Sequence, residues 1–182
     1  MDMRRPLTTF SAILFMAGIL SAAQQGGVIL ETKTFLSKDK VYAGETFKAA
    51  LKLGIGLGWH VNANPVNDDF LVPTTVDLRE DENFHVVKFV YPTPLTAKFD
   101  FSEADSVIYT GSALFGILIK AGDRVGPGTY KLKGSVMYQA CNEQSCLAPE
   151  TIGFDLEITV ADFDQKTGEI NADVFAAIDF KK

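Results

Sequence analysis

Ile152, Phe154, Leu156, Ile158 and Val160 occupy every second position of one segment, with Asp155, Glu157 and Thr159 between them. Successive side chains of an extended chain point to opposite faces. A period of two over this length therefore dictates a strand with one buried face and one wet face. The pattern recurs in Tyr130, Leu132, Gly134, Val136 and Tyr138, and again in Phe47, Ala49, Leu51, Leu53 and Ile55. Two further runs, Val86 to Tyr91 and Leu114 to Ile119, are β-branched, aromatic or apolar. Turn and breaker residues punctuate them: Gly44, Gly56-Leu57-Gly58, Pro73, Pro92-Thr93-Pro94 and Gly126-Pro127-Gly128. Several short strands so spaced, with almost no helical periodicity, predict an all-β fold, an immunoglobulin-like antiparallel β-sandwich.

The C-terminus departs from this pattern. Asn171 suits the cap of a short helix beginning at Ala172, with Ile170 and Phe175 spaced as a hydrophobic staple. Asp173 suits the positive end of that helix. The segments from Trp59 to Pro73 and from Lys98 to Asp105 lack alternation and are expected to be functional loops.

The N-terminus reads as an address. Arg4 and Arg5 precede an apolar run from Phe10 to Leu20, and Ser21-Ala22-Ala23 supplies the small residues of a cleavage site. This order predicts a signal peptide over residues 1–23 and a mature domain over 24–182. The apolar run falls short of the roughly 20 residues of a membrane span; an uncleaved anchor is the alternative. Losing residues 1–23 removes Asp2, Arg4 and Arg5 and leaves 15 basic against 22 acidic residues, a net charge of −7. So acidic a domain has no electrostatic reason to bind nucleic acid or an anionic membrane surface. No stable membrane insertion is expected after cleavage.

The chain holds two cysteines, Cys141 and Cys146, separated by four polar residues between two predicted strands. A hairpin there would set them opposite each other, with Cα atoms about 4.5–5.5 Å apart, within reach of a disulfide. An exported protein meets an oxidising compartment in which such a pair should bond. A structural bridge is the ordinary reading for a secreted domain. Closing so small a ring, however, is worth only about 2 kcal/mol on the loop-closure model, which makes it a poor staple and favours a redox role. The spacing is not Cys-x-x-Cys and no βαβ pattern surrounds it, so a thioredoxin fold is not expected. Glu143 and Glu150 are the local charges, and no Lys or Arg lies between Lys133 and Lys166. Carboxylates favour the protonated thiol, so the pair reads as a passive carrier, activated by its partner. Two cysteines and two histidines do not make a zinc site. No cofactor or metal is predicted.

Tyr138-Gln139-Ala140-Cys141 followed by Cys146-Leu147-Ala148-Pro149-Glu150 resembles the cysteine hairpin of the N-terminal periplasmic domain of the thiol:disulfide interchange protein DsbD family. Gly58-Trp59-His60-Val61-Asn62-Ala63-Asn64-Pro65, with Pro73-Thr74 after it, is similar to a second signature of that family, in the same order. The resemblance runs from about Phe35 to Val160. It implies an immunoglobulin-like domain in the periplasm with protein-disulfide reductase or thiol–disulfide interchange activity. Electrons would come from a membrane electron transporter through a thioredoxin-like domain. They would pass to thioredoxin-fold proteins such as disulfide isomerases or cytochrome c maturation factors. Carried over, Cys146 is the exchanging thiol and Cys141 the resolving one. A cap loop with an aromatic residue shields the pair in the family; here it maps to Lys98–Glu103, with Phe99 or Phe101 as the cap.

The chain departs from the family pattern in its shorter cysteine spacer and in His60 and Asn62, which stand where aromatic side chains are expected. His60 is either a packed core histidine or, beside the cysteines, a proton relay. The sequence ends at Lys182, which leads us to expect an electron donor met as a separate molecule. The competing reading is a non-enzymatic envelope binding module with a purely structural disulfide.

Overall fold

The computed structural model describes residues 29–99 and 105–181. The expected signal at 1–23 and the cap candidate Phe101 lie outside the described residues. Among the described residues eleven strands run in chain order: β1 (Leu30–Leu36), β2 (Thr46–Ile55), β3 (His60–Asn62), β4 (Thr75–Leu78), β5 (Phe84–Val90), β6 (Leu95–Ala97), β7 (Ser106–Thr110), β8 (Ser112–Ala121), β9 (Gly128–Tyr138), β10 (Ala140–Cys141) and β11 (Glu150–Val160). One short helix, α1 (Ala172–Ala176), follows. The strands form three sheets of order β1-β2-β8-β5, β10-β3-β7-β6 and β11-β9-β4. Every pairing within them is antiparallel. The expected all-β, immunoglobulin-like sandwich with a short C-terminal helix is the observed class.

One core draws on all three sheets. Leu51, Phe84 and Ile117 come from the first, Val61, Tyr109 and Ala140 from the second, and Val136, Leu156 and Ile158 from the third. The alternations read from sequence meet in this core. Along β11, Phe154, Leu156, Ile158 and Val160 are buried while Asp155 and Glu157 are exposed. The run from Leu114 to Ile119 does not alternate because β8 is covered on both faces. Ala113, Phe115, Ile117 and Ile119 face the main core. Leu114 belongs to a second cluster with Ala50, Val90, Phe175, Ile178 and Phe180, in which the C-terminal segment lies across the outer face of the first sheet.

Two expectations need correction. Asn171 precedes α1 but does not cap it through its side chain, because its backbone is left-handed at φ 53°. Its side-chain Nδ2 instead donates to the carbonyl of Leu36 at 2.9 Å, tying the helix start to the end of β1. The segment from Trp59 to Pro73 is not wholly loop. It contains β3, whose three residues are all buried. Three residues are too few to display a period, so pairing on both edges, to β7 and β10, makes this strand.

Candidate functional site: a disulfide at the corner between two sheets

A single residue, Gln139, separates β9 from β10. Before it, β9 pairs with β11 and β4; after it, β10 pairs with β3. The chain therefore changes sheets at Gln139, and the cysteine loop begins immediately beyond that corner.

The loop closes by local backbone bonds. The N–H of Leu147 donates to Ala140 O at 2.9 Å and that of Asn142 donates to Ser145 O at 3.0 Å. The Asn142 side-chain Oδ1 accepts from the N–H groups of Gln144 and Ser145, both at 2.9 Å, an Asx-type turn that bends the four-residue spacer. Cys141 and Cys146 thus face each other as an antiparallel bridge. They are joined by a disulfide of 2.02 Å, with Cα atoms 4.0 Å apart. Hairpin closure brings the sulfurs together as the spacing predicts, at a Cα separation below the expected range.

The two cysteines differ in exposure. Cys141 is 1% exposed, whereas Cys146 is only partly covered and is followed by Leu147, 39% exposed. Cys141 sits in register with His60, and His60 with Thr110 on the other side. Their chain neighbours Ala140, Val61 and Tyr109 point into the core. Alternation therefore places Cys141, His60 and Thr110 together on the opposite face. His60 is 6% exposed, and the Phe99 ring stacks on it with centroids 4.4 Å apart and planes 12° from parallel. Of the two cap candidates, Phe99 is the one described, and its ring lies on the histidine that pairs with Cys141. Burial holds the His60 pKa below its ordinary value, so the imidazole is neutral at neutral pH.

Around this face lies a polar frame. Asn62 is 1% exposed. Its Nδ2 donates to Val72 O at 3.1 Å and to Gln139 Oε1 at 3.2 Å. Gln139 Oε1 also accepts from Val72 N–H at 3.1 Å, and its Nε2 donates to Leu147 O at 3.1 Å. Thr74 Oγ1 donates to Asn62 O at 2.6 Å. Tyr138 Oη donates to Glu150 Oε2 at 2.9 Å across the base of the hairpin. Burial, then that bond and the carboxylate charge, push the Tyr138 pKa up to about 12, so it stays a donor through the neutral range. The signal that could have exposed this frame is the amide pair Asn62 and Gln139, one in each family-like block.

Fold and site together define an antiparallel β-sandwich carrying one disulfide in the loop where a core strand changes sheets. Residues 32–158, more than half of the chain, match the family model of the N-terminal domain of the thiol:disulfide interchange protein DsbD. The chain belongs to that family. In structure it is similar to the N-terminal periplasmic domain of ScsB from Proteus mirabilis, at 12% identity and a TM-score of 0.48, over 73% of this chain and 47% of that one. It is also similar to the Neisseria meningitidis DsbD n-terminal domain in the reduced form, at 15% identity and a TM-score of 0.42, over 74% of this chain and 89% of that one. The chain thus spans just under half of the ScsB structure. No curated protein shows a sequence match to it. No helix among the described residues is long and apolar enough to cross a membrane.

Proposed function

We propose that this domain is a periplasmic carrier of electrons, exported by the signal at residues 1–23, that exchanges its Cys141–Cys146 disulfide with thioredoxin-fold proteins. The single observation that carries this reading is the unequal exposure of the two cysteines in a DsbD-family hairpin, Cys141 fully buried and Cys146 only half-buried. Of the two, Cys146 is the residue that a partner meets first. In the reduced domain the Cys146 thiolate attacks the partner's disulfide, forms a mixed disulfide and releases one partner thiolate. The Cys141 thiolate then attacks Cys146 Sγ and expels the second. The domain loses two electrons and the partner gains them, while both thiol protons leave to solvent or to the partner's sulfurs. Reversed, the same steps reload the domain from a membrane electron transporter. No cofactor enters. Neutral His60, in register with Cys141, is suited to take the Cys141 proton as that thiol attacks, and Phe99 over His60 serves as the cap.

A Cys141→Ser variant cannot resolve the mixed disulfide. It should therefore accumulate a covalent adduct through Cys146 when mixed with an oxidised thioredoxin-fold protein, read by non-reducing gel and mass spectrometry. Cys146→Ser should give at least about tenfold less adduct, because the remaining thiol is buried. Equal adduct from both variants would remove the assigned roles. The competing reading, a structural bridge, requires a potential below about −300 mV, and redox titration of the folded domain separates the two.

A further inference from the structure

Gln139 is bonded to three separate pieces of chain at once. Its Oε1 accepts from the N–H of Val72 at 3.1 Å and from Asn62 Nδ2 at 3.2 Å, while its Nε2 donates to the carbonyl of Leu147 at 3.1 Å. The first two partners are tied to each other, since Asn62 Nδ2 also donates to Val72 O at 3.1 Å. Asn62 lies in β3, 1% exposed, and Thr74 holds it through N–H and hydroxyl bonds to its carbonyl at 3.1 and 2.6 Å. The third partner is the residue directly after Cys146. Leu147 is thereby held through both of its backbone polar groups, since its N–H donates to Ala140 O at 2.9 Å, on the residue directly before Cys141.

We infer that Gln139 is a positioning residue for the exchange reaction, a clamp that keeps Cys146 opposite Cys141 when the disulfide is open. The inference rests on the exchange reading above. None of these bonds involves a sulfur, so nothing in the chemistry of reduction removes them. An unclamped six-residue loop would gain conformational freedom on reduction and would lose it again on closing. A clamped loop has already lost it, so the two sulfurs retain a high effective concentration for each other. Two consequences follow. Cys141 reaches a mixed disulfide on Cys146 quickly, which shortens the covalent complex with the partner. The dithiol is also the stronger reductant, because closing the ring costs less entropy. Cys141 sits on a β-strand paired with β3, whereas Cys146 lies outside the strands, so the open side of the hairpin is the side that needs holding.

The test uses the whole domain equilibrated with reduced and oxidised glutathione, with two variants of Gln139. Gln139→Met keeps the length and loses every bond. Gln139→Glu keeps the acceptor toward Val72 and Asn62 but sets an oxygen against the Leu147 carbonyl. The effective concentration of the two thiols should fall by about five-fold or more in both, the worth of one net hydrogen bond. The mixed disulfide with glutathione, negligible in the wild type, should become detectable by mass spectrometry. Either variant at the wild-type value, with a wild-type unfolding midpoint, overturns the clamp. If the variants do not fold, amide exchange on the wild-type domain decides. The Leu147 N–H should stay protected after reduction, and loss of that protection overturns the inference. A wild-type bond that glutathione never opens in the folded domain is a different outcome. It sinks the exchange reading itself, and the clamp with it.

Discussion

His60 is flanked by Cys141 and Thr110 in register and by the Phe99 ring on its face, and none of these carries a compensating charge. Its pKa in the folded domain lies below the ordinary 6.5 because burial penalises the imidazolium. Between the folded and unfolded values the unfolded chain binds more protons, so stability rises with pH across that window. The His60 contribution is therefore intact above the ordinary value and is lost as pH falls below it. The midpoint of urea unfolding should drop between about pH 7.5 and pH 5.5, and His60→Phe should flatten that drop. His85, the second histidine, is exposed beside Glu80 and remains in both proteins as an internal control. Parallel pH slopes would show that His60 accepts its proton without cost. His60 and both cysteines were legible in the sequence because reactive side chains name themselves. Gln139 was not, because an amide acquires its role only from a corner between sheets that brings residues 62, 72 and 147 together, and no local pattern encodes that meeting.

At the level of elements, the long strands were readable and the short ones were not. β2, β9 and β11 have ten or eleven residues, enough for one face to declare itself. β3, β6 and β10 have three, three and two, and are strands only because a neighbour pairs with them. β8 was visible as apolar but not as two-faced, since the layer covering its outer face arrives from the far end of the chain. That layer depends on Gly116. A Cβ there would stand 2.8 Å from Ile178 Cγ2 and 2.9 Å from Phe180 Cζ. Lys88 Nζ donates to Phe180 O at 2.5 Å, and Lys48 Nζ lies 5.0 Å from the Phe180 ring centroid, so the strap is held by polar contacts as well. Gly116→Val should overpack this seam and cost about 1–3 kcal/mol. Chymotrypsin should then cut at Phe175 and Phe180 faster than in the wild type while the sandwich stays resistant. An unchanged cleavage pattern and midpoint would mean that the strap yields freely.

For the molecule as a whole, the proposed carrier role requires a domain that stays folded in both redox states, and the layout of the core bears on whether it can. The main core gathers side chains from all three sheets, and neither cysteine belongs to it. The disulfide joins residues five apart in sequence, so it links no two distant parts of the chain. Loop-closure entropy for so small a ring amounts to about 2 kcal/mol, whereas domains of this size are held by roughly 5–15 kcal/mol. Reduction should therefore leave the domain native and lower its melting temperature by about 4–8 °C, the shift expected for that energy at this chain length. Calorimetry of the oxidised domain, the dithiol and the Cys141→Ser, Cys146→Ser double variant measures it directly, and the last two should melt together. The clamp at Gln139 adds a sharper expectation, because a held loop gains little freedom in the native state when its bond opens while the unfolded chain gains all of it; the dithiol should then show the full shift, whereas a loop set free by reduction would melt closer to the oxidised form. Cooperative unfolding on reduction would instead make the bond a staple of the fold, and no electron could pass through it without destroying the domain that carries it.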